Sequence, residues 1–319
     1  MNIQEIRQSI SEFYKENENY VAETKSPVKG KPYIMGIGAN TFFVSDGESS
    51  FLIDAYATRN CFRLPIKFGK SMLFADVESK PQNVEEIYKA IGAPAFSHIV
   101  CTHNHIDHTM DLRAFYDLCY KYNGTKPKIV GTLSSVNTAL GYGVPEEDTM
   151  VVHRKKSGFD SIEIGKFKIT FLPGKHLKLF AFYKSTYQRK PLKNKGFITA
   201  YKEGGVLDFF IEHENMENVL LTSSFGIGEY ELSKPVGTLV QAIGGAGKER
   251  KTFVKQLYKH NAIDTNAGRV LVSHYDDFFQ PLSKGLHFIN VSPKLIETMR
   301  NEDKEKPVGL LKLYEKIEL

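Results

Sequence analysis

The stretch Thr102-His103-Asn104-His105-Ile106-Asp107-His108 places three imidazoles and a carboxylate within six consecutive positions, His103 to His108. Imidazole nitrogen and carboxylate oxygen are donors that suit zinc, iron and manganese, and several of them on one short loop have little other physical use. The cluster follows Phe96-Ser97-His98-Ile99-Val100-Cys101, whose β-branched, apolar composition reads as a buried strand, and it precedes a segment from Met110 to Tyr122 that reads as a helix. The loop thus sits at a strand's carboxyl end, held by rigid elements on both sides, which is where α/β sheets usually build their sites. In an extended loop, side chains two apart point the same way. His103 and His105 can therefore converge on one ion, leaving Asp107 and His108 to face a second.

The rest of the chain alternates strand and helix patterns. An amphipathic helix comes first, with Ile3, Ile6, Ile10 and Phe13 on one stripe, followed by a polar stretch from Glu23 to Pro32. Residues 1–32 read as an added helix and arm, which covers either its own domain or a partner subunit and so offers a homo-oligomer contact. Residues 33–319 read as the main domain. Strands are expected over 33 to 55, a helix from Asn83 to Ile91 closed by Gly92 and Pro94, a strand ending at Ile129-Val130, and a short helix from Leu133 to Leu140. Strands then dominate from 149 to 222 and return at Thr238 to Ile243. A helix around Glu249 to His260, a strand to Val272 and a helix from Pro293 to Arg300 complete the alternation.

The pattern His103-x-His105-x-Asp107-His108 resembles the signature of the metallo-β-lactamase-fold hydrolases. Upstream, Gly38-Ala39-Asn40-Thr41-Phe42-Phe43-Val44, the Ser45-Asp46-Gly47 turn and Phe51-Leu52-Ile53-Asp54 resemble that family's opening hairpin. Downstream, a strand from Phe167 to Leu172 leads to His176, and Val270-Leu271-Val272-Ser273 leads to His274-Tyr275-Asp276-Asp277-Phe278. The likeness spans roughly residues 33 to 290, and within the superfamily it looks most like a bacterial branch of metallo-hydrolases whose name fixes chemistry and not substrate. It implies an α/β (α+β) fold, a four-layer αβ/βα sandwich with the metals at the edge between two mixed sheets. It also implies that His103, His105 and His176 hold a first ion, and Asp107, His108 and His274 a second. One expected ligand is missing: where the family has a bridging aspartate, after Asn218-Val219-Leu220-Leu221-Thr222, this chain has Ser223 and Ser224. A neutral hydroxyl is a weaker ligand than a carboxylate. The second ion is thus held weakly, relies on a hydroxide bridge, or recruits Asp276 or Asp277. Asp54 is implied to stand behind the metals, accepting a ligand imidazole's other N–H; the competing reading is an ordinary strand-end turn residue.

Composition sets limits on function. A chain of 319 residues, 41% hydrophobic and 25% charged, can bury a large core. It has no run of 18 apolar residues and no charged-then-apolar leader, so no membrane span and a cytoplasmic location are expected. Cys61, Cys101 and Cys119 are odd in number and widely spaced, which reads as free thiols; Cys101 could approach a metal or lie in a buried strand. The net charge of +5 is too mild to imply nucleic acid. Gly244-Gly245-Ala246-Gly247-Lys248 lacks the first glycine and the final hydroxyl of a phosphate loop. From Lys175 to Lys195 the chain carries seven basic residues, Lys184, Arg189 and Lys190 among them, interleaved with aromatics and without an acid. That segment is either a rim attracting an anionic small-molecule substrate or a solvated connection.

These features point to metal-assisted hydrolysis of an ester, lactone or phosphodiester. Zinc is the expected metal, one or two ions, with iron or manganese as alternatives. Bound zinc lowers the pKa of its water to about 7. Asp107 is expected to orient that water or carry its proton, and Tyr275 to serve as an oxyanion donor. Two rival readings are an iron-dependent oxidoreductase of the same fold and a non-catalytic metal-binding protein.

Overall fold

The computed structural model describes residues 3–63, 76–177, 186–193, 196–244, 246, 251–289 and 292–319. Two seven-stranded mixed sheets form its centre. The first comprises β1 (Tyr33–Gly38), β2 (Thr41–Ser45), β3 (Ser50–Ile53), β4 (His98–Val100), β5 (Lys128–Gly131) and β6 (Thr149–Val151). The second comprises β7 (Ser161–Ile164), β8 (Phe167–Pro173), β9 (Leu207–Glu212), β10 (Val219–Thr222), β11 (Thr238–Ala242), β12 (Arg269–Ser273) and β13 (Val308–Leu310), and β14 (Ile317–Glu318) returns to pair with β1 of the first. In each sheet an antiparallel half joins a parallel half, β3 to β6 and β10 to β13, whose strands run in register. Parallel strands end at one edge, and the loops leaving β3, β4, β10 and β12 carry the residues singled out in the sequence.

Period-two alternation makes the layers. Phe42, Val44, Phe51 and Ile53 from one sheet meet Phe167, Phe171, Phe209 and Leu221 from the other in a single buried cluster. Phe51 and Phe167 pack edge to face at 5.3 Å. The intervening residues, among them Phe43, Leu52, Ile99, Phe210, Leu220 and Val270, point outward into a cluster shared with the helices. Those helices are α1 (Ile3–Glu16), α2 (Pro81–Ala90), α4 (Leu112–Asn123), α5 (Leu133–Gly141), α6 (Lys251–Tyr258) and α7 (Ser292–Arg300), with α3 (Ile106–Thr109) a single turn inside the His-rich loop. The result is a four-layer αβ/βα sandwich. Helix α4 ends at Gly124, which takes the left-handed φ of 69° and returns its N–H to Tyr120 O.

Two expectations change. The strand-rich reading of 149 to 222 is interrupted: between β8 and β9 the described residues form a 3-10 turn at Ile198–Ala200 and an isolated bridge from Phe197 to Asp76, with no strand, because this basic stretch lacks the apolar alternation of a strand. The His-rich loop is extended only to His105, after which α3 presents Asp107 and His108 from a helical turn. Of the two expectations for the N-terminal helix, packing on its own domain is met: the apolar stripe of α1 (Ile6, Ile10 and Phe13, with Tyr14 beside it) is buried in the chain's own core. Cys61, Cys101 and Cys119 are free and buried. Among the described residues no helix is long and apolar enough to cross a membrane.

Candidate metal centre

Six side chains gather into two adjoining pockets at the carboxyl edge of the strands: His103, His105 and His176 in one, Asp107, His108 and His274 in the other, with the donor atoms of each within 4.8 Å of one another. Their spacing suits an ion. His103 Nε2 lies 3.1 Å from His105 Nδ1, and His274 Nε2 lies 3.2 Å from Asp107 Oδ2. Two ligands on a tetrahedral ion with bonds of about 2.0–2.1 Å stand roughly 3.3 Å apart. The rings of His103 and His108 touch, their centroids 3.8 Å apart, so the pockets are neighbours.

Hydrogen bonds set the tautomers. His108 donates Nδ1–H to Asp54 Oδ2 at 2.7 Å, which leaves its Nε2 lone pair toward Asp107. His176 donates Nδ1–H to the Leu177 carbonyl at 2.6 Å, again leaving Nε2. Asp54 is surrounded by donors: Thr102 N–H at 2.7 Å, the Thr102 hydroxyl and the Asn40 amide join His108. Both Asp54 and His274 have left-handed backbones, φ 54° and 55°. Such conformations are costly for non-glycine residues and persist where surrounding structure over-determines them, commonly at functional sites.

Burial and crowding keep the first pocket neutral. Desolvation, then the neighbouring imidazoles, holds His103 and His105 well below the ordinary histidine value. Desolvation likewise brings His176 down to about 4. Neutral imidazoles are the ligating form. In the second pocket, burial opposes the charged form of His108, but Asp54 and Asp107 outweigh it and raise its pKa. Burial also opposes ionisation of Asp107, yet His108 and His274 overcome it and hold the carboxyl well below its usual range. The donor set therefore fits a divalent transition metal: three neutral nitrogens on one side, a carboxylate and two imidazoles on the other.

The remaining site expectations fall elsewhere. The Tyr275 hydroxyl donates to Leu311 O at 2.9 Å and contacts the Tyr14 hydroxyl, so its proton is committed away from the pockets and is not available to an oxyanion. Asp276 accepts the Ala39 N–H at 3.0 Å and pairs with the buried Arg59 at 2.7 Å; both oxygens are occupied. Asp277 Oδ1 accepts the Phe279 N–H. Ser223 donates to Asp208 Oδ1 through its hydroxyl at 3.1 Å and its N–H at 2.9 Å, while the buried Ser224 hydroxyl has no hydrogen-bond partner among the described residues. Lys184 lies outside the described residues. Arg189 and Lys190 are exposed on a segment pinned to α5 by Gln188 N–H to Ser134 Oγ and Leu192 N–H to Asn137 O.

Some contributors escaped the sequence. Asp208, fully buried, accepts the Tyr230 hydroxyl in addition to Ser223, and desolvation raises its pKa to about 6. The signal was a lone acid inside the apolar strand Leu207-Asp208-Phe209-Phe210. Gly244 of the Gly-rich loop lies flat against His274: a Cβ there would stand 2.5 Å from the ring. A side chain at that position would displace the ligand.

No protein-family model matches the sequence, and no curated protein matches it either. In three dimensions the chain is similar to the metallo-β-lactamase fold protein YhfI of Bacillus subtilis, at 14% identity and a TM-score of 0.53 over 88% of this chain and 97% of that one. It is also similar to Igni18, a metallo hydrolase of the archaeon Ignicoccus hospitalis, at 13% identity and a TM-score of 0.51 over 91% and 98%. A third likeness is to CmlA, a diiron β-hydroxylase of Streptomyces venezuelae, at 14% identity and a TM-score of 0.52, covering 92% of this chain and 55% of that one.

Proposed function

The chain has the metallo-β-lactamase fold, and from that fold and its donor set we propose that it is a metal-dependent hydrolase cleaving an ester, lactone or phosphodiester. The observation that carries the reading is the pair of adjoining pockets, His103/His105/His176 and Asp107/His108/His274. Zinc is the metal that suits this set best; when bound, it supplies a Lewis acid and a water acidic enough to ionise near neutral pH. The residues of the chain do the positioning. Thr102, Asn40 and Asp54 fix the His108 tautomer, and Asp107, kept ionised by its imidazole neighbours, would orient the attacking water by accepting its hydrogen bond. No oxyanion donor is assigned, since Tyr275 is engaged elsewhere. Arg189 and Lys190, exposed on the segment tied to α5, would favour an anionic substrate if that segment borders the pockets.

Turnover of a panel of esters, lactones and phosphodiesters tests this, with and without chelator. Cleavage that stops on chelation and returns with zinc supports the reading; turnover indifferent to chelation contradicts it. A second reading, an iron-dependent oxidoreductase, is favoured by the mixed nitrogen and oxygen donors and by the likeness to CmlA. Elemental analysis and the visible spectrum of the purified protein separate the two.

A further inference from the structure

We infer that Tyr14, on the N-terminal helix, is a positioning residue for the second metal pocket, acting through Tyr275 on His274; the inference rests on the metal reading above. The two histidines of that pocket are oriented differently. His108 is fixed by the Asp54 carboxylate, whereas His274 Nδ1 is buried with no hydrogen-bond partner among the described residues. Apart from the 3.2 Å contact of its Nε2 with Asp107, the His274 ring is held, among the described residues, by packing against Gly244 on one side and the Phe278 ring 5.0 Å away. Its direction therefore depends on the main chain, which takes the left-handed φ of 55° at His274 and passes at once to Tyr275.

Tyr275 is anchored at both ends. Its carbonyl accepts Ile289 N–H at 2.7 Å and the Ser292 hydroxyl at 3.2 Å. Its hydroxyl lies in a buried relay: Leu313 N–H donates to Tyr14 Oη at 2.7 Å, Tyr14 Oη meets Tyr275 Oη, and Tyr275 O–H donates to Leu311 O at 2.9 Å. With Tyr275 donating to Leu311, Tyr14 supplies the proton between the two hydroxyls, and every group in the relay is satisfied. The preceding residue of the same helix, Phe13, stacks parallel to the Tyr275 ring at 6.3 Å. Helix α1 thus provides both the ring face and the hydroxyl that hold the residue next to a metal ligand. Removing the Tyr14 hydroxyl orphans the Leu313 N–H and the acceptor side of Tyr275 in a buried place, and the backbone after His274 is what can relax.

The test uses the full-length protein, stripped of metal and titrated with cobalt(II), with visible absorption and a competing chelator reporting each ion; His103→Ala and His274→Ala assign the bands to pockets. In Tyr14→Phe the second ion should bind about fivefold more weakly and its band should shift, while the first ion is unchanged. Tyr275→Phe should do the same, and the double variant should be no weaker than the worse single one, because both break one relay. Unchanged second-ion affinity and spectrum in Tyr14→Phe overturn the inference. A proportional loss at both pockets also overturns it, since that is the outcome of general destabilisation. Wild-type protein that binds no second ion, with a stoichiometry unaltered by His274→Ala, overturns the metal reading and this inference together.

Discussion

Asp54→Asn separates a carboxylate that tunes the metal centre from one that merely turns the chain. Asparagine tolerates the left-handed backbone at this position about as well as aspartate, so a turn residue would survive the exchange. Every group around the carboxylate is a donor: Thr102 N–H, Thr102 O–H, the Asn40 amide and His108 Nδ1–H. An amide NH₂ must therefore face a donor whichever way it is turned, or drive His108 into the other tautomer, which puts a proton on the nitrogen meant for the metal. A hydrogen bond to a charged group is worth about 1.5–3 kcal/mol, and about 1.4 kcal/mol is a factor of ten. The second ion should then bind roughly 10- to 100-fold more weakly, the range usual for partners behind a ligating histidine. Competition with a graded chelator reads the affinity, and urea unfolding of the metal-free protein reports stability separately. Second-ion affinity equal to that of the wild type, in a folded Asp54→Asn protein, would refute the reasoning and return Asp54 to the role of a turn.

Purified protein should carry between one and two transition-metal ions per chain, and His103→Ala or His176→Ala should empty the first pocket; wild-type content in both variants by elemental analysis contradicts the ligand set. Chelator should strip the Asp107/His108/His274 ion first, and Ser224→Asp should tighten it, whereas Ser223→Asp should not, because Ser223 Oγ already stands 3.1 Å from Asp208 and a second carboxylate would repel it. Metal-free protein should gain stability as pH rises from about 4 to about 6.5: the unfolded chain protonates below the ordinary histidine value, while folded His176 resists until about 4. His108, shifted upward, works the other way and loses its contribution as pH rises through its folded pKa, so the gain should end near 6.5 and give way to a decline above it. Equal urea midpoints at pH 5 and pH 7 would contradict this. If the basic rim acts on substrate, kcat/KM for an anionic substrate should exceed that for a neutral analogue and fall with salt, less so in the Lys184→Ala, Arg189→Ala, Lys190→Ala variant; no charge preference makes the segment a solvated connection.

What the sequence made legible was local and periodic. Alternation in segments such as Phe42 to Val44 and Phe51 to Ile53 fixes which side chains face the other sheet, and the packing of residues 103 to 108 makes a metal loop readable without a partner. His176 and His274, far along the chain, carry no spacing that ties them to that loop, and they were reached only through resemblance. The strands at Val308–Leu310 and Ile317–Glu318 were missed because such short segments take their identity from the neighbours they pair with. Polar contacts between distant segments were illegible for the same reason. Nothing near Asp276 announces that Arg59 will occupy it, nothing near Tyr275 that an N-terminal tyrosine will meet its hydroxyl, and Asp208 declares itself only as an acid in an apolar strand.

The central claim is that an ion held by these side chains activates water for hydrolysis. Its most direct test is a zinc titration of metal-free protein during turnover of whichever substrate the panel yields, in wild type and in His103→Ala. The account predicts no turnover without metal, a rise that follows zinc occupancy of the pockets, and no comparable rise in His103→Ala. Turnover in the metal-free protein, or an equal response to zinc in the variant, would contradict it.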